Sequence, residues 1–381
     1  MTEKLYYKDA YIKEFEAVVL SCEKLDGGFD VVLDKTAFFP TEGGQYSDTG
    51  TLGGGRVKDV LEKEGVIHHI CDTECPVGEK LACKIDFDKR YEKMQCHTGE
   101  HILSGLFHSE LGLNNVGFHL GEDEVTMDVD AYLDEEDIVK IERLANRVIY
   151  ENVPVLAYFP DKDELSSLEY RSKLELTENV RIVKIGDYDT CACCAPHVKR
   201  TGEVGIIRIL DVMKHRGGTR LTIIAGVRAL SDYRERYEEI RAVSGLLSVP
   251  KNEIASGTAR LLSEYEALKF KYKSAREELF RIRAESIENT DGNLVVYYED
   301  ASPEELRTVA NSALGRVFGM LVLLCGKEGD FKYLIVSESV DLRSAAKDIN
   351  SNLGGRGGGK PEAIQGSFSA SLSDICAYFA K

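Results

Sequence analysis

The sequence predicts an α+β protein of several domains, and three patterns support this prediction. Short β-rich runs fill the first 90 residues, helical and strand-rich segments alternate after them, and a long heptad pattern precedes a last mixed segment. The length of 381 residues suggests about two or three domains. With 43% hydrophobic and 30% charged residues, the chain can build sizeable cores.

Residues 1–90 carry the runs FEAVVLSC, GFDVVLDKTAFF and VIHHI, which are separated by glycine-rich turns at 43–44 and 53–55. This spacing indicates a small barrel or a sandwich. Residues 91–228 are expected to form an α+β core. Its helices are predicted over about 91–111 and 135–150, and its strands are expected in VRIVKIG, EVGIIRILDV and TRLTIIAGV.

Residues 229–290 read as a helical linker. From Ile254 to Ile282 apolar positions recur in alternating steps of four and three, which is the heptad pattern of a coiled coil. Either this helix dimerises or spaces the domains, or it packs on its own domain. We favour a coiled coil, although Thr258 and two tyrosines make the seam imperfect. Residues 291–381 then predict an α/β domain with a glycine-rich loop, LGGRGGGKP, and a last short helix.

Composition and charge limit the classes of function. No run of about 18 apolar residues is present, and the start of the chain lacks the apolar core of a signal peptide, so we expect a cytoplasmic protein. The ten cysteines fit reduced thiols or metal ligands better than a disulfide framework. A net charge of −17 argues weakly against a general nucleic-acid binder. Basic residues do cluster locally, and by charge alone they would be solvated loop residues: Lys199, Arg200, Lys214, His215, Arg216 and Arg220.

Two short segments together predict a metal site. In QCHTGEHILSGLF, His97 and His101 lie four apart in a predicted helix and therefore share a face. In CACCAPHVKR, Cys193 and His197 repeat the spacing in a predicted loop, since Pro196 disfavours a helix. The set suits Zn²⁺. The alternative is that Cys191, Cys193 and Cys194 are small core residues; of the three, we favour Cys193 as the ligand for its spacing.

Four segments resemble a known family. CHTGEHILSG and CCAPHV resemble the H-x-x-x-H and C-x-x-x-H motifs of the alanyl-tRNA synthetase editing domain, where the second is usually CGGTHV. FFPTEGGQYSDTGTL resembles the glycine-rich segment of the β-barrel before that domain, and LGGRGGGKPEAIQGSF resembles the synthetase's C-terminal domain. No segment resembles the aminoacylation domain. The chain is therefore similar to the free-standing AlaX editing proteins in their long form, with an N-terminal β-barrel.

The resemblance implies a Zn²⁺-dependent hydrolase that removes serine or glycine wrongly attached to tRNA for alanine. Zinc would either activate water or mainly position the substrate, and sequence does not choose between them. Glu100 is a candidate general base, and its alternative is a solvated helix charge. Thr41 is the candidate sensor of the serine hydroxyl, with Gln45 beside it; the alternative is that both are turn residues.

The partner implied is tRNA. Arg356 and Lys360 would contact it, and Arg216 and Arg220 would add cations. Three glycines between the first two cations would form a nest of backbone N–H groups: Gly357, Gly358 and Gly359. Without the resemblance, a flexible glycine loop would be the simpler interpretation. We also expect a homodimer through residues 254–286 or through the C-terminal domain.

Two other functions remain open. HTGEH matches the H-x-x-E-H pattern of inverted zincin peptidases, with Glu100 as base. That hypothesis needs a further carboxylate ligand on a later helix and leaves Cys193 and His197 without a role. The third hypothesis is a non-catalytic tRNA-binding module with a structural zinc.

Overall fold

The computed structural model describes residues 1–122, 124–172 and 179–380. These residues form a mixed α+β fold, which confirms the predicted class. They divide into two compact units, Met1–Ile240 and Arg241–Lys381. The barrel and the predicted core thus fall in one compact unit, and the finer division into four ranges stays a prediction.

The N-terminal part of the first unit is built from strands, with one 3-10 turn at Leu5–Tyr7. Its strands are β1 (Glu3–Lys4), β2 (Glu14–Leu25), β3 (Gly28–Leu33), β4 (Lys35–Thr36), β5 (Gly50–Leu52), β6 (Gly55–Lys63), β7 (Val66–Cys71) and β8 (Lys80–Ile85). Six of them close into a barrel in the order β2-β3-β7-β6-β5-β8. Alternate residues point inward, as along β7, where Ile67, His69 and Cys71 are buried.

The helix α1 (Phe87–Leu111) follows the barrel and begins earlier than the predicted position 91. Every residue from Lys93 to Phe107 is buried, so the helix is covered on all sides rather than along one stripe. It ends at Gly112, whose φ of +69° suits a left-handed cap. The segment that carries His97 and His101 is therefore a core helix.

The rest of the first unit contains two sheets and their helices, and its last helix continues beyond Ile240. Its elements are β9 (Asn115–Leu120), β10 (Val125–Val129), α2 (Glu135–Glu151), β11 (Val155–Tyr158), α3 (Lys162–Ser167), β12 (Ile182–Ile185), β13 (Asp189–Ala192), β14 (Ile207–His215), β15 (Gly218–Ala225) and α4 (Gly226–Leu247). The strands form two antiparallel sheets, in the orders β14-β15-β10-β9 and β11-β12-β13. The helix α1 contacts strands of both sheets. The predicted helix at 135–150 is α2, whose acidic first turn follows the N-cap Asp134.

The second unit contains one mixed sheet and its helices. Its elements are α5 (Ile254–Glu285), β16 (Leu294–Tyr298), α6 (Pro303–Ala313), β17 (Leu321–Lys327), β18 (Asp330–Val336), α7 (Leu342–Asn352), β19 (Arg356–Lys360), β20 (Ala363–Phe368) and α8 (Leu372–Phe379). The strand order is β16-β17-β18-β20-β19, in which only β16 and β17 pair in parallel. Near its C-terminal end, α5 packs on α6 through Phe280 and Ala284.

The glycine-rich segment at 356–360 corrects a prediction. We expected a loop, and the structure shows the strand β19, paired antiparallel with β20 at the edge of the sheet. The glycines allow this close pairing, because a Cβ at Gly357 would lie 2.3 Å from the carbonyl oxygen of Gln365. The N–H nest expected at Gly357, Gly358 and Gly359 is also wrong, because these three residues are extended in the strand and none has a positive φ.

None of the helices within the described residues combines the length and the apolar character needed to cross a membrane.

Candidate metal centre

Four predicted side chains meet at one point in the first unit. The helix α1 supplies His97 and His101 one turn apart, and the loop after β13 supplies Cys193 and His197. One donor atom from each of the four lies within 4.8 Å of the other three. The ring centroids of the three histidines are 4.7–5.4 Å apart. Two segments about 90 residues apart in sequence thus form one donor cluster, as predicted.

Each imidazole is oriented by a different oxygen through its Nδ1 atom. His97 Nδ1 lies 2.9 Å from Gln45 Oε1, and His101 Nδ1 lies 2.9 Å from Asp189 Oδ2. His197 Nδ1 lies 3.0 Å from Thr98 Oγ1. With Nδ1 occupied, Nε2 is the atom left to bind a metal, and such outer partners fix ring orientation in known metal sites.

The remaining ring nitrogens face the thiol. Cys193 Sγ lies 3.6 Å from His97 Nε2 and 3.4 Å from His197 Nε2. Burial opposes ionisation of the thiol, but the neighbouring imidazoles outweigh it and hold the pKa of Cys193 well below its usual range. Burial lowers the pKa of His197 to about 3. A thiolate beside a neutral imidazole is the protonation state that metal binding requires.

Asp189 was not predicted from sequence. Its Oδ1 accepts a hydrogen bond from Arg171 Nε at 2.8 Å, while its other oxygen holds His101. Burial would raise the pKa of Asp189, but the hydrogen bond from His101 and the charge of Arg171 together lower it. The carboxylate is therefore kept ionised, which favours the Nδ1–H tautomer of His101. Thr98 was also missed, since neither residue has a local sequence pattern that reports its role.

The structure distinguishes the three neighbouring cysteines. Cys193 belongs to the four-residue cluster, whereas Cys191 forms a separate group with His101 and Asp189. Cys194 packs on the glycine-rich segment, where a Cβ at Gly43 would lie 3.2 Å from its Sγ. Burial raises the pKa of Cys194, so this thiol stays protonated. The geometry supports Cys193 as the sulfur donor.

The segment PTEGGQ reaches the cluster through one residue. Gln45 is 1% exposed, and its Nε2 atom is buried without a hydrogen-bond partner within the described ranges. Thr41 is exposed, and its hydroxyl accepts a hydrogen bond from the Ser47 backbone at 3.0 Å. Gly43 and Gly44 have φ angles of +62° and +80°, which explains why glycines stand at this turn.

Two buried cations of α1 hold this segment, and sequence analysis missed both. Arg90, 1% exposed, binds Asp48 through Nε at 2.9 Å and through Nη2, which also reaches the carbonyl of Ala37. Lys93 Nζ donates to the carbonyl oxygen of Tyr46 at 3.2 Å and to that of Ser47 at 2.5 Å. Successive turns of the helix therefore fix the loop that carries Gln45.

Glu100 is buried, which excludes the alternative of a solvated helix charge. It is 4% exposed because α1 is covered on all sides. Its Oε1 accepts a hydrogen bond from Ser104 at 2.7 Å and another from Asn115. Its Oε2 lies 3.9 Å from His101 Nε2, on the side of the candidate metal. A fixed carboxylate thus borders the donor cluster.

A cavity of about 1280 Å³ opens at the cluster. Its wall includes His97, Glu100, His101 and Cys193, and the glycine-rich segment contributes residues 42–44. Thr41 and Gln45 are not among the described residues that line it. A volume above that of most small-molecule sites leaves room for a substrate larger than an amino acid.

The predicted tRNA-contact residues lie elsewhere. Arg216, with a φ of +46°, lies at the turn between β14 and β15. Arg220 donates two hydrogen bonds of 2.7 Å to Asp128, so its charge is locally neutralised. Arg356 and Lys360 are exposed at the two ends of β19, in the second unit. The three glycines between them are exposed along the same strand: Gly357, Gly358 and Gly359.

Both units of the chain match known proteins in sequence. The family "Threonyl and Alanyl tRNA synthetase second additional domain" matches residues 180–222, which include Cys193 and His197. The DHHA1 domain matches residues 291–378, in the second unit. The alanyl-tRNA editing protein AlaX-L of Pyrococcus horikoshii is 28% identical over 394 residues, covering 98% of this chain and 96% of that relative.

Two alanine–tRNA ligases are also similar. That of Halorubrum lacusprofundi is 31% identical over 389 residues, covering 96% of this chain and 42% of the ligase. That of Halobacterium salinarum is 34% identical over 359 residues, covering 88% of this chain and 38% of the ligase. The chain thus spans about two fifths of these ligases and nearly all of the editing protein. The chain therefore combines a region similar to the synthetase additional domain, which contains Cys193 and His197 of the donor cluster, with a DHHA1 match in its second unit. The chain is thus similar to the alanyl-tRNA editing protein AlaX-L over nearly the whole length of both proteins.

Proposed function

We propose that this chain is a zinc-dependent aminoacyl-tRNA deacylase that removes serine or glycine wrongly attached to tRNA for alanine. The observation that carries the proposal is the convergence of His97, His101, Cys193 and His197 on one point, with the first three lining a cavity. The similarity to an editing protein over nearly its whole length supports the substrate class.

The donor set fits zinc. Three imidazoles and a thiolate match the nitrogen and sulfur preference of Zn²⁺, and the three Nδ1 atoms are already occupied by orienting partners. We propose that Nε2 of each histidine and Sγ of Cys193 hold the ion. When bound, Zn²⁺ supplies Lewis-acid polarisation of an oxygen ligand or a lowered pKa of water.

The proposed reaction breaks an ester between an amino acid and a terminal ribose hydroxyl. A water oxygen attacks the ester carbon, and Glu100 accepts the proton that the water loses. The ribose oxygen then leaves and takes up a proton, so a free amino acid and uncharged tRNA result. Ser104 and Asn115 hold Oε1 of Glu100, which leaves Oε2 for this transfer beside His101.

For serine recognition, Gln45 has better support than Thr41. The buried Nε2 of Gln45 has no partner among the described residues, so it can donate to a small polar group that reaches it. Thr41 is exposed and its hydroxyl already serves the turn. Both stay proposed contacts of the serine hydroxyl, which alanine would leave unpaired.

We propose tRNA as the partner of both units. Arg216 lies at an exposed turn of the first unit, and Arg356 and Lys360 flank the glycines 357–359 of the second. The extended glycine edge can approach a sugar–phosphate backbone closely, since it has no side chains. Arg220, already paired with Asp128, is expected to contribute less than the others.

The peptidase hypothesis has no comparable support. It requires a carboxylate ligand on a later helix, whereas Cys193 and His197 fill the remaining corners of the cluster.

Deacylation of Ser-tRNA tests the proposal. Wild-type protein should release serine from this tRNA while Ala-tRNA stays charged, and His101→Ala should abolish release with loss of bound metal. Glu100→Gln should lower kcat by about 100-fold or more while the bound metal is retained. Cleavage of a peptide library with Ser-tRNA left intact would favour the peptidase, and tRNA binding without any deacylation would favour a non-catalytic module.

A further inference from the structure

Aromatic side chains line the cavity at the metal centre, and the proposed chemistry does not use them. Phe159, just after β11, is 49% exposed and lines the same cavity as His97 and Cys193. By contrast, Phe38, Phe39 and Phe107 are fully buried. Four other aromatic residues line the cavity and are each less exposed: Tyr7, Phe118, Tyr170 and Tyr188.

A chain of contacts fixes Phe159 relative to the donor cluster. Arg181 Nη1 donates to the carbonyl oxygens of Cys193 at 2.9 Å and Ala195 at 2.8 Å. The guanidinium carbon of Arg181 lies 5.3 Å from the centroid of the Tyr7 ring. The Tyr7 ring in turn meets Phe159 edge to face, with centroids 5.4 Å apart and planes at 76°. The exposed ring is therefore held by packing.

We propose that Phe159 is the stacking platform for the terminal base of the tRNA. This inference rests on the proposed function, because the ribose that carries the ester belongs to the terminal adenosine. If the ester lies at the donor cluster, its base must lie within one nucleoside's length of it, in the same cavity. An exposed aromatic face is the usual protein partner of an unpaired base.

The packing supports Phe159 as the platform and Tyr7 as its support. Tyr7 is half-buried and its ring is engaged by Arg181 and Lys4, whereas Phe159 stays 49% exposed beside their edge-to-face contact. Burial raises the pKa of Tyr7, so the hydroxyl stays neutral. Tyr7 is accordingly a positioning residue.

A fluorescence experiment tests the contact directly, since the chain contains no tryptophan. In Phe159→Trp the new indole is the sole such fluorophore. Stacking should quench its emission when uncharged tRNA is added, and tRNA lacking only its terminal adenosine should cause little quenching. The matched control is Tyr150→Trp, at a 79% exposed position of α2, where neither tRNA should quench. Equal quenching of Phe159→Trp by both tRNAs, or none by either, would overturn the proposal.

Kinetics give a second test that separates this contact from the chemistry. Phe159→Ala should raise KM for Ser-tRNA by about tenfold or more, with kcat little changed. Phe159→Leu should behave similarly, because it keeps apolar area without a ring, whereas Phe159→Tyr should restore most of the affinity. If wild-type protein deacylates Ser-tRNA but Phe159→Ala keeps the wild-type KM, the platform is wrong and the function stands. If wild-type protein leaves Ser-tRNA intact, the function fails, and quenching still decides whether the base is bound.

Discussion

Three different oxygens orient the three imidazoles of the candidate metal centre. An amide serves His97, a carboxylate serves His101 and a hydroxyl serves His197. Asp189 is the only charged residue among these three partners, and its carboxylate is itself held by Arg171. Orientation therefore comes from residues of the barrel loop, of β13 and of α1 itself, so the site depends on how these segments pack together.

Replacing neighbouring thiols tests the assignment of Cys193. Cys193→Ser should weaken metal binding by about 100-fold or more, because a neutral hydroxyl replaces a thiolate. Cys194→Ser should keep the metal, because Cys194 faces the glycine-rich segment. The metal content per chain after dialysis checks both variants. Loss of metal only in Cys194→Ser would show that the sulfur donor has been misassigned.

The four donors could be predicted because each pair lies within five residues of sequence. Their partners could not, since Gln45, Thr98 and Asp189 come from three separate segments and each residue type is common in other roles. Glu100 shows a second limit. The sequence left open a solvated charge, and only the packing around α1 shows that the residue is buried.

His69 should make stability depend on pH. It is fully buried in the barrel, its Nδ1 atom lies 3.0 Å from the carbonyl oxygen of Val31, and burial lowers its pKa to about 4. The neutral form is favoured in the folded state, so its contribution is complete above the unfolded value near 6.5 and is lost as pH falls toward 4.

When the pH falls from 7 to 5, the low pKa of His69 should lower the free energy of unfolding by about 2 kcal/mol. In His69→Gln, the difference in stability between the two pH values should shrink by about that amount. Urea unfolding at both pH values measures it. If variant and wild type lose the same stability between the two pH values, His69 is not the source of the pH dependence.

At the scale of elements, α1 approaches β13 closely because Gly105 has no side chain. A Cβ there would lie 2.2 Å from the carbonyl oxygen of Tyr188 and 2.9 Å from Cβ of Asp189. This contact lies one turn from His101, so it helps to bring the carboxylate of Asp189 to the imidazole. Glycine at this position is thus required by packing between elements rather than by a turn.

Two glycine substitutions in helices should have opposite signs. Gly105→Ala should destabilise the protein by about 1–3 kcal/mol, because the methyl group overlaps backbone. Gly245→Ala in α4 should stabilise it by about 0.5–1 kcal/mol, because nothing lies within 4 Å of the added Cβ and alanine favours the helix. Chemical denaturation of both variants checks this. A stabilised Gly105→Ala would contradict the close approach.

The helix α5 carries an exposed apolar seam. Leu261 is 53% exposed and Leu268 is 65% exposed, on the positions that the heptad pattern selects. We therefore propose that two copies of the chain pair along this helix, since a coiled coil would bury the seam.

A charge in the seam should separate the copies. Leu268→Glu should shift the protein toward monomer, because the pair would bury two carboxylates. Ser274→Glu, on the same helix but off the seam, should leave the assembly unchanged. Sedimentation velocity measures both. A monomeric wild type at tens of micromolar, or equal behaviour of the two variants, would argue against pairing.

Element prediction succeeded where the pattern is local and periodic. The helix α2 was expected at 135–150 and spans Glu135–Glu151, and the last short helix expected in the C-terminal domain is α8, Leu372–Phe379. It failed at β19, because three consecutive glycines carry no strand pattern of their own. That strand exists because β20 supplies its hydrogen bonds.

For the molecule as a whole, the net charge of −17 must be reconciled with the proposed tRNA partner. Attraction to tRNA depends on local cations rather than on the net charge of the whole chain. Such cations lie at an exposed turn of the first unit and along the edge of the second unit's sheet. The described cysteines are all free thiols, in agreement with the composition. Sequence indicated this mixed architecture, whereas the single compact unit of barrel and core follows from long-range packing around α1.

The most direct test of the central claim is the rate of Ser-tRNA deacylation by wild-type protein stripped of metal and then resupplied with Zn²⁺. The account predicts that the stripped protein is inactive, that about one zinc ion per chain restores the rate, and that Ala-tRNA stays charged throughout. Full activity in the stripped protein, or restoration by zinc in His97→Ala and Cys193→Ser alike, would contradict a metal held by these four side chains.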